Sequence, residues 1–222
     1  MSRTRVSFFG LSFDPLNAKD AASAMAARGS QLKPLVYVAT VNVERMLRRD
    51  RKPELRGLHK NAWLNLCDSR ILATLARYSG LTLPAASRAD IVERLFIQYI
   101  KRDDRVLVIG GSATLASAMR ERFNLNDLRW FDAPHNLSAD PKARAQCVDF
   151  IRNNPAPFVF LALGSPQQEL IAHEAMMAGG SVGVAICCGT ALKSIAGSTK
   201  PSNGFARLHR LIFAPVRRWA TH

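Results

Sequence analysis

Six short apolar runs, each followed at once by small or polar residues, limit what this chain can fold into. They are Leu35–Ala39, Leu64–Cys67, Arg105–Ile109, Leu128–Phe131, Phe158–Leu163 and Val182–Ile186. Each is too short for a typical helix, and most are rich in β-branched or aromatic residues, so each reads as a buried strand. Between them lie stretches with helical spacing, Ala89–Ile100 and Ala113–Phe123 among them. Strand alternating with helix predicts an α/β fold whose mostly parallel sheet is covered by helices on both faces.

Such sheets bind ligands beyond the carboxyl ends of their strands. The residues that follow each run therefore matter most. They are Thr40-Val-Asn42, Asp68-Ser69, Gly110-Gly-Ser112, Gly164-Ser-Pro-Gln-Gln168 and Gly189-Thr190. The set is small and polar, suited to a phosphate and a sugar. Its densest member is the turn Gly164-Ser-Pro166, where Gln167, Gln168 and Glu169 come directly after a buried strand.

Each position has a plainer reading beside the functional one. Asp68 is either a general base at the end of a strand or the cap of the next helix. Thr40 and Asn42 either read a sugar or uracil edge, or open the helix Val43–Arg49 with Asn42 as its cap. Gly110 and Gly111 open a helix, where backbone amides reach a phosphate, and Asp132 follows at the spacing of a ribose-binding acid. The GxGxxG spacing is absent, so a nicotinamide cofactor is not expected, and a turn that merely needs small residues fits as well.

The chain has 222 residues, enough for one large domain or a domain with an appendage, and 48% apolar residues supply its core. Lys and Arg number 31 against 17 Asp and Glu, giving a net charge of +14 that favours anionic partners. Glu174 is the last acid, while Lys193, Lys200, Arg207, Arg210, Arg217 and Arg218 follow it. Composition shifts near residue 197, which divides a core of residues 1–197 from a basic appendage of residues 198–222. In the appendage Leu208, Leu211, Ile212, Val216 and Trp219 share a helical face, as in an interfacial helix or one packed on the core. No stacking-aromatic or recognition-helix pattern accompanies the charge, so nucleic acid is not an expected partner.

Cys67, Cys147, Cys187 and Cys188 form no CxxC pair, and no His stands at ligand spacing, so no metal is expected. The N-terminal stretch lacks the apolar segment of a signal peptide, and no run approaches the roughly 20 apolar residues that span a bilayer. The expected location is cytoplasmic, soluble or peripheral on the inner face of the cell membrane.

Taken together, these motifs give the chain a family likeness. It resembles the WecG/TagA/CpsF glycosyltransferases, which add a sugar to a lipid-linked precursor of bacterial surface polysaccharides. Phe9–Asp14 looks like the family's opening strand and turn. Thr40-Val-Asn42, with Arg48-Arg-Asp50 after it, resembles the T-P-N segment and the arginine-rich helix. Cys67-Asp-Ser69 stands at the D-G pair, and Leu163–Leu170 matches G-x-P-x-Q-E most specifically. Arg210–Arg217 resembles the terminal R-L-x-x-E-P-x-R. The chain departs from the family pattern at Ser69, Ala85, Arg88, Lys193 and Ala214.

The resemblance implies an inverting transferase of the GT-E type with a Rossmann-like core and no cofactor or metal. Its implied donor is a UDP-sugar of N-acetylmannosamine, mannosaminuronate or glucose type. Its implied acceptor is a polyprenyl-diphosphate-linked saccharide at an anionic membrane surface. Asp68 is then the base. Thr40, Asn42, Gly110, Gly111, Gly164, Pro166, Gln168 and Glu169 shape the donor site, and Arg210 and Arg217 complete it from the appendage. A member that binds a nucleotide-sugar or membrane partner without turnover is the alternative, and the oligomeric state stays open.

Overall fold

The computed structural model describes residues 4–46 and 56–197. A short hairpin, β1 (Val6–Phe8) and β2 (Leu11–Phe13), opens the chain and is followed by α1 (Ala18–Gly29). Then come β3 (Val36–Val41), a helix that starts at Val43, α2 (Arg56–Lys60), β4 (Leu64–Cys67) and α3 (Arg70–Tyr78). Next is α4 (Arg88–Arg94), which runs on as a π-helical turn over Leu95–Tyr99. The rest alternates strictly: β5 (Val106–Gly110), α5 (Ala113–Phe123), β6 (Leu128–Phe131), α6 (Pro141–Asn153), β7 (Phe158–Ala162), α7 (Gln167–Ala178), β8 (Val184–Cys187) and α8 (Ala191–Ala196).

All six apolar runs become the strands of one six-stranded sheet, in the order β4-β3-β8-β7-β5-β6. Every pairing in it is parallel. This is the Rossmann-like α/β architecture that the alternation predicts. Successive strand side chains face opposite layers. Val106, Val108, Phe158, Phe160, Val184 and Ile186 join the helical residues Met25, Ile91, Leu95, Met119 and Leu192 on one face. Leu107, Ile109, Val159, Leu161 and Ala185 join Cys147, Ile151, Ile171 and Ala175 on the other. Both faces are covered, which is why the strands read as unbroken apolar runs.

The hairpin sits over the β4 edge on a smaller core of Phe8, Leu11, Phe13, Val41, Cys67, Leu72 and Ala76. Polar bonds fix its position. Buried Asp14 accepts from the Asn65 amide at 2.8 Å, and Arg5 donates to the Ala62 and Trp63 carbonyls at 2.9 Å. Among the described residues, no helix is long and apolar enough to cross a membrane. The expected appendage, with Arg210 and Arg217, and the segment Arg48-Arg-Asp50 lie outside the described residues.

Candidate active site at the carboxyl edge of the sheet

The carboxyl ends of β3, β8, β7 and β5 surround a cleft of about 530 Å³. Its walls are Asn42, Glu44 and Arg45 beyond β3, Arg88 at the start of α4, and Gly111 and Leu115 beyond β5. Ala162, Leu163, Gly164 and Ser165 follow β7, and Gly189, Thr190 and Lys193 follow β8. Of the strand-end residues singled out in the sequence, Asn42, Gly111, Gly164, Ser165, Gly189 and Thr190 line the cleft, whereas Thr40, Asp68, Gly110, Pro166, Gln168 and Glu169 lie behind its lining.

Backbone shape keeps the space open. Gly110 has φ +80°, and a Cβ there would stand 2.4 Å from Leu163 Cδ2, so only glycine fits. Gly189 has φ +53°, and its Cβ would come within 3.1 Å of the Arg88 guanidinium. At Gly164, by contrast, a Cβ would meet nothing within 4 Å and would point into open space.

Asp68 follows β4 and is held from three directions. Its amide extends the ladder to the Val41 carbonyl at 2.8 Å. One carboxylate oxygen accepts from the Arg88 amide at 3.3 Å, and the other from Arg88 Nε at 2.5 Å. The helix-cap reading of Asp68 falls to its neighbour: Ser69 caps α3 by accepting from the Leu72 amide. Asp68 is thus free of that duty and stands directly behind Arg88, a residue of the cleft wall. The pair is only partly covered, with 17% of the Asp68 side chain and 22% of the Arg88 side chain exposed.

A second acid–arginine pair runs inward from the cleft wall, with Arg45 lining the cleft and Glu169 buried behind it. Arg45 Nη1 donates to Glu169 Oε1 at 3.1 Å, to the Thr40 carbonyl at 2.8 Å and to the Thr40 hydroxyl at 3.3 Å. Only 2% of the Glu169 side chain is exposed, and among the described residues its Oε2 has no hydrogen-bond partner. Burial lowers the Arg45 pKa against the pull of Glu169, yet a guanidinium stays charged at any ordinary pH.

Gln168 completes this layer rather than the cleft wall. It is fully buried, its Oε1 accepts from the Gly189 amide at 2.9 Å, and its Nε2 donates to Glu169 at 2.9 Å. Thr40 is buried with it, and Pro166 forms the entry to α7 after a cis Ser165–Pro166 peptide. Asn42 does cap its helix, accepting from the Arg45 amide at 2.9 Å, while still lining the cleft. Its two readings hold together.

Sequence reasoning missed Arg45. The Asn42 cap places it three residues into a helix, where its side chain can turn back to Thr40. Its acid partner is 124 residues away in the chain, beyond any local pattern. Lys193 stands exposed at the mouth of the cleft. Asp132 lies at the carboxyl end of β6, outside the cleft lining.

The four cysteines are buried. Burial raises all their pKa values, Cys147 to about 11 and Cys188 to about 12. They remain thiols at neutral pH and serve as small apolar fillers.

A sequence profile of the glycosyl transferase WecG/TagA/CpsF family matches residues 6–220. The chain belongs to this family. The match takes in the whole described fold and every wall of the cleft. Members of this family are glycosyl transferases, so the chain is expected to transfer a sugar from an activated donor to an acceptor.

Proposed function

We propose that the cleft receives a UDP-sugar, and that Asp68 is the base that deprotonates an acceptor hydroxyl. The observation that carries this reading is the placement of Asp68 and Arg88 together. A carboxylate fixed at the end of β4 is paired with a guanidinium that forms the cleft wall. In the reaction, the acceptor oxygen attacks the anomeric carbon from the face opposite the leaving group. Its proton passes to Asp68, the bond from the anomeric carbon to the phosphate oxygen breaks, and UDP departs with inverted stereochemistry at the sugar. The developing diphosphate charge is met by Arg88 and Lys193, which converge on the same space. Glycines and small side chains along the remaining wall let the phosphates approach the backbone.

The donor sugar is of N-acetylmannosamine, mannosaminuronate or glucose type, and the acceptor is a polyprenyl-diphosphate-linked saccharide at the inner face of the membrane. The appendage, residues 198–222, brings Arg210 and Arg217 to the mouth and to the anionic lipid surface. Gln168 and Glu169 act from beneath, holding the Gly189 turn and Arg45 in place.

One observation favours a second reading, binding without turnover: both oxygens of Asp68 are already engaged by Arg88. The deciding experiment measures UDP release from candidate UDP-sugars in the presence of a lipid-linked acceptor. Release that depends on the acceptor supports transfer. Donor binding with no release at any acceptor concentration supports the second reading.

A further inference from the structure

Helix α3 carries an unpaid hydrophobic exposure. Seven large apolar side chains are exposed among the described residues, and three of them lie on this one helix: Ile71 at 64%, Leu75 at 43% and Tyr78 at 81%. Their spacing of four and then three residues puts them in a single row along the helix. Leu72 and Ala76 hold the opposite side against the hairpin core. At 100° per residue, Arg70, Thr74 and Arg77 form the next row round, beside the apolar one. The helix contains no acidic residue. An apolar row next to a basic row is the pattern of a helix that lies in a lipid interface, its apolar side among the acyl chains and its cations among anionic headgroups.

We infer that the outer side of α3 is a membrane-docking surface for an anionic lipid monolayer. The charge decides between occupants. A second copy of this chain would bring its own +14 and the same two arginines to the contact, whereas a layer of acidic headgroups complements both. Position gives the docking a consequence. The helix begins two residues after Asp68 and flanks β4, an edge strand of the sheet. Seating α3 on the bilayer sets that edge, and the Asp68 side of the cleft, against the headgroups. The inference deepens the proposed reading by giving the core its own membrane contact, in addition to the appendage.

The test uses the full chain and vesicles of equal parts phosphatidylethanolamine and phosphatidylglycerol, with phosphatidylcholine vesicles as reference. The I71S/L75S/Y78S variant removes exposed side chains only, and its melting temperature should match the parent's. It should bind the anionic vesicles at least about tenfold more weakly. Separately, Tyr78→Trp should report insertion: brominated acyl chains should quench its added fluorescence on anionic vesicles and not on phosphatidylcholine. Transfer onto a short-chain, water-soluble acceptor should keep its rate in the triple variant, so failure of docking and failure of the transferase reading are seen apart. Absence of quenching at position 78 would overturn the inference. So would a triple variant that keeps full vesicle affinity, or one whose only change is a shift from dimer to monomer without lipid.

Discussion

The cleft edge carries two acid–arginine pairs that look alike on paper and differ in what surrounds them. In Asp68–Arg88 both side chains are partly exposed, and Arg88 forms part of the cleft wall. In Arg45–Glu169 the guanidinium also lines the cleft, but its acid is buried behind it beside Thr40 and Gln168. Removing water from a charge costs several kcal/mol, so a buried acid depends on its cationic partner. A partly exposed acid depends on its partner less. Two pairs of the same residue types therefore carry opposite predictions.

The largest effect is expected at the open pair. Asp68→Asn keeps an acceptor for the Arg88 amide and should leave the melting temperature nearly unchanged. Turnover should fall roughly 10²–10⁴-fold, the usual contribution of a positioned base, while UDP-sugar binding persists. An unchanged rate would remove Asp68 from the chemistry and leave it as an anchor for α4.

At the pair with the buried acid the balance reverses. Glu169→Ala leaves the largely buried Arg45 guanidinium without its carboxylate and should destabilise the fold by about 3–5 kcal/mol. For a chain of this size that lowers the melting temperature by on the order of 10 °C. A thermal scan checks it, and a shift of only a degree or two would show that water in the cleft satisfies the Arg45 charge without Glu169.

Gln168→Ala should act in the same direction with less force. It leaves the Gly189 amide with only the Leu161 carbonyl and Glu169 with only Arg45, at a cost of about 1 kcal/mol of stability. Donor affinity should fall only through the loosened turn. A large loss of donor affinity with no change in melting temperature would instead place Gln168 against the ligand.

The smallest structural effect is expected at Gly164. A methyl group there meets nothing within 4 Å, so Gly164→Ala should leave the melting temperature unchanged. The same methyl enters the cleft and should weaken UDP-sugar binding by a few-fold. Equal binding in calorimetry would put the donor elsewhere along the wall.

Much of this fold is legible in the sequence because its strands are buried on both faces. Phe158–Leu163 and Arg105–Ile109 are unbroken apolar runs for that reason, and their abrupt polar ends mark the carboxyl edge. The hairpin is harder to read, since strands of three residues around Phe9 and Gly10 are too short to show an alternation. The π-turn over Leu95–Tyr99 keeps a helical spacing and gives no separate signal. Within the site, the polar residues were visible but their directions were not. Gln168 turns inward to bridge the Gly189 amide, 21 residues on and shared with the Leu161 carbonyl, to the Glu169 carboxylate. Ser69 rather than Asp68 takes the cap because its hydroxyl reaches the Leu72 amide, while Asp68 is drawn to Arg88. Such choices depend on contacts between distant segments, which local pattern does not encode.

We expect the cleft to take a nucleoside diphosphate through Arg88 and Lys193, and calorimetric titration of UDP into the parent chain and into Lys193→Ala is the sharpest test. Losing one hydrogen bond to a charged group costs about 1.5–3 kcal/mol, so the variant should bind UDP roughly 10- to 150-fold more weakly with its melting temperature unchanged. The difference should shrink as salt is raised, because Lys193 is exposed to screening ions. Equal UDP affinity in the two proteins, or no UDP binding by the parent, would contradict the claim.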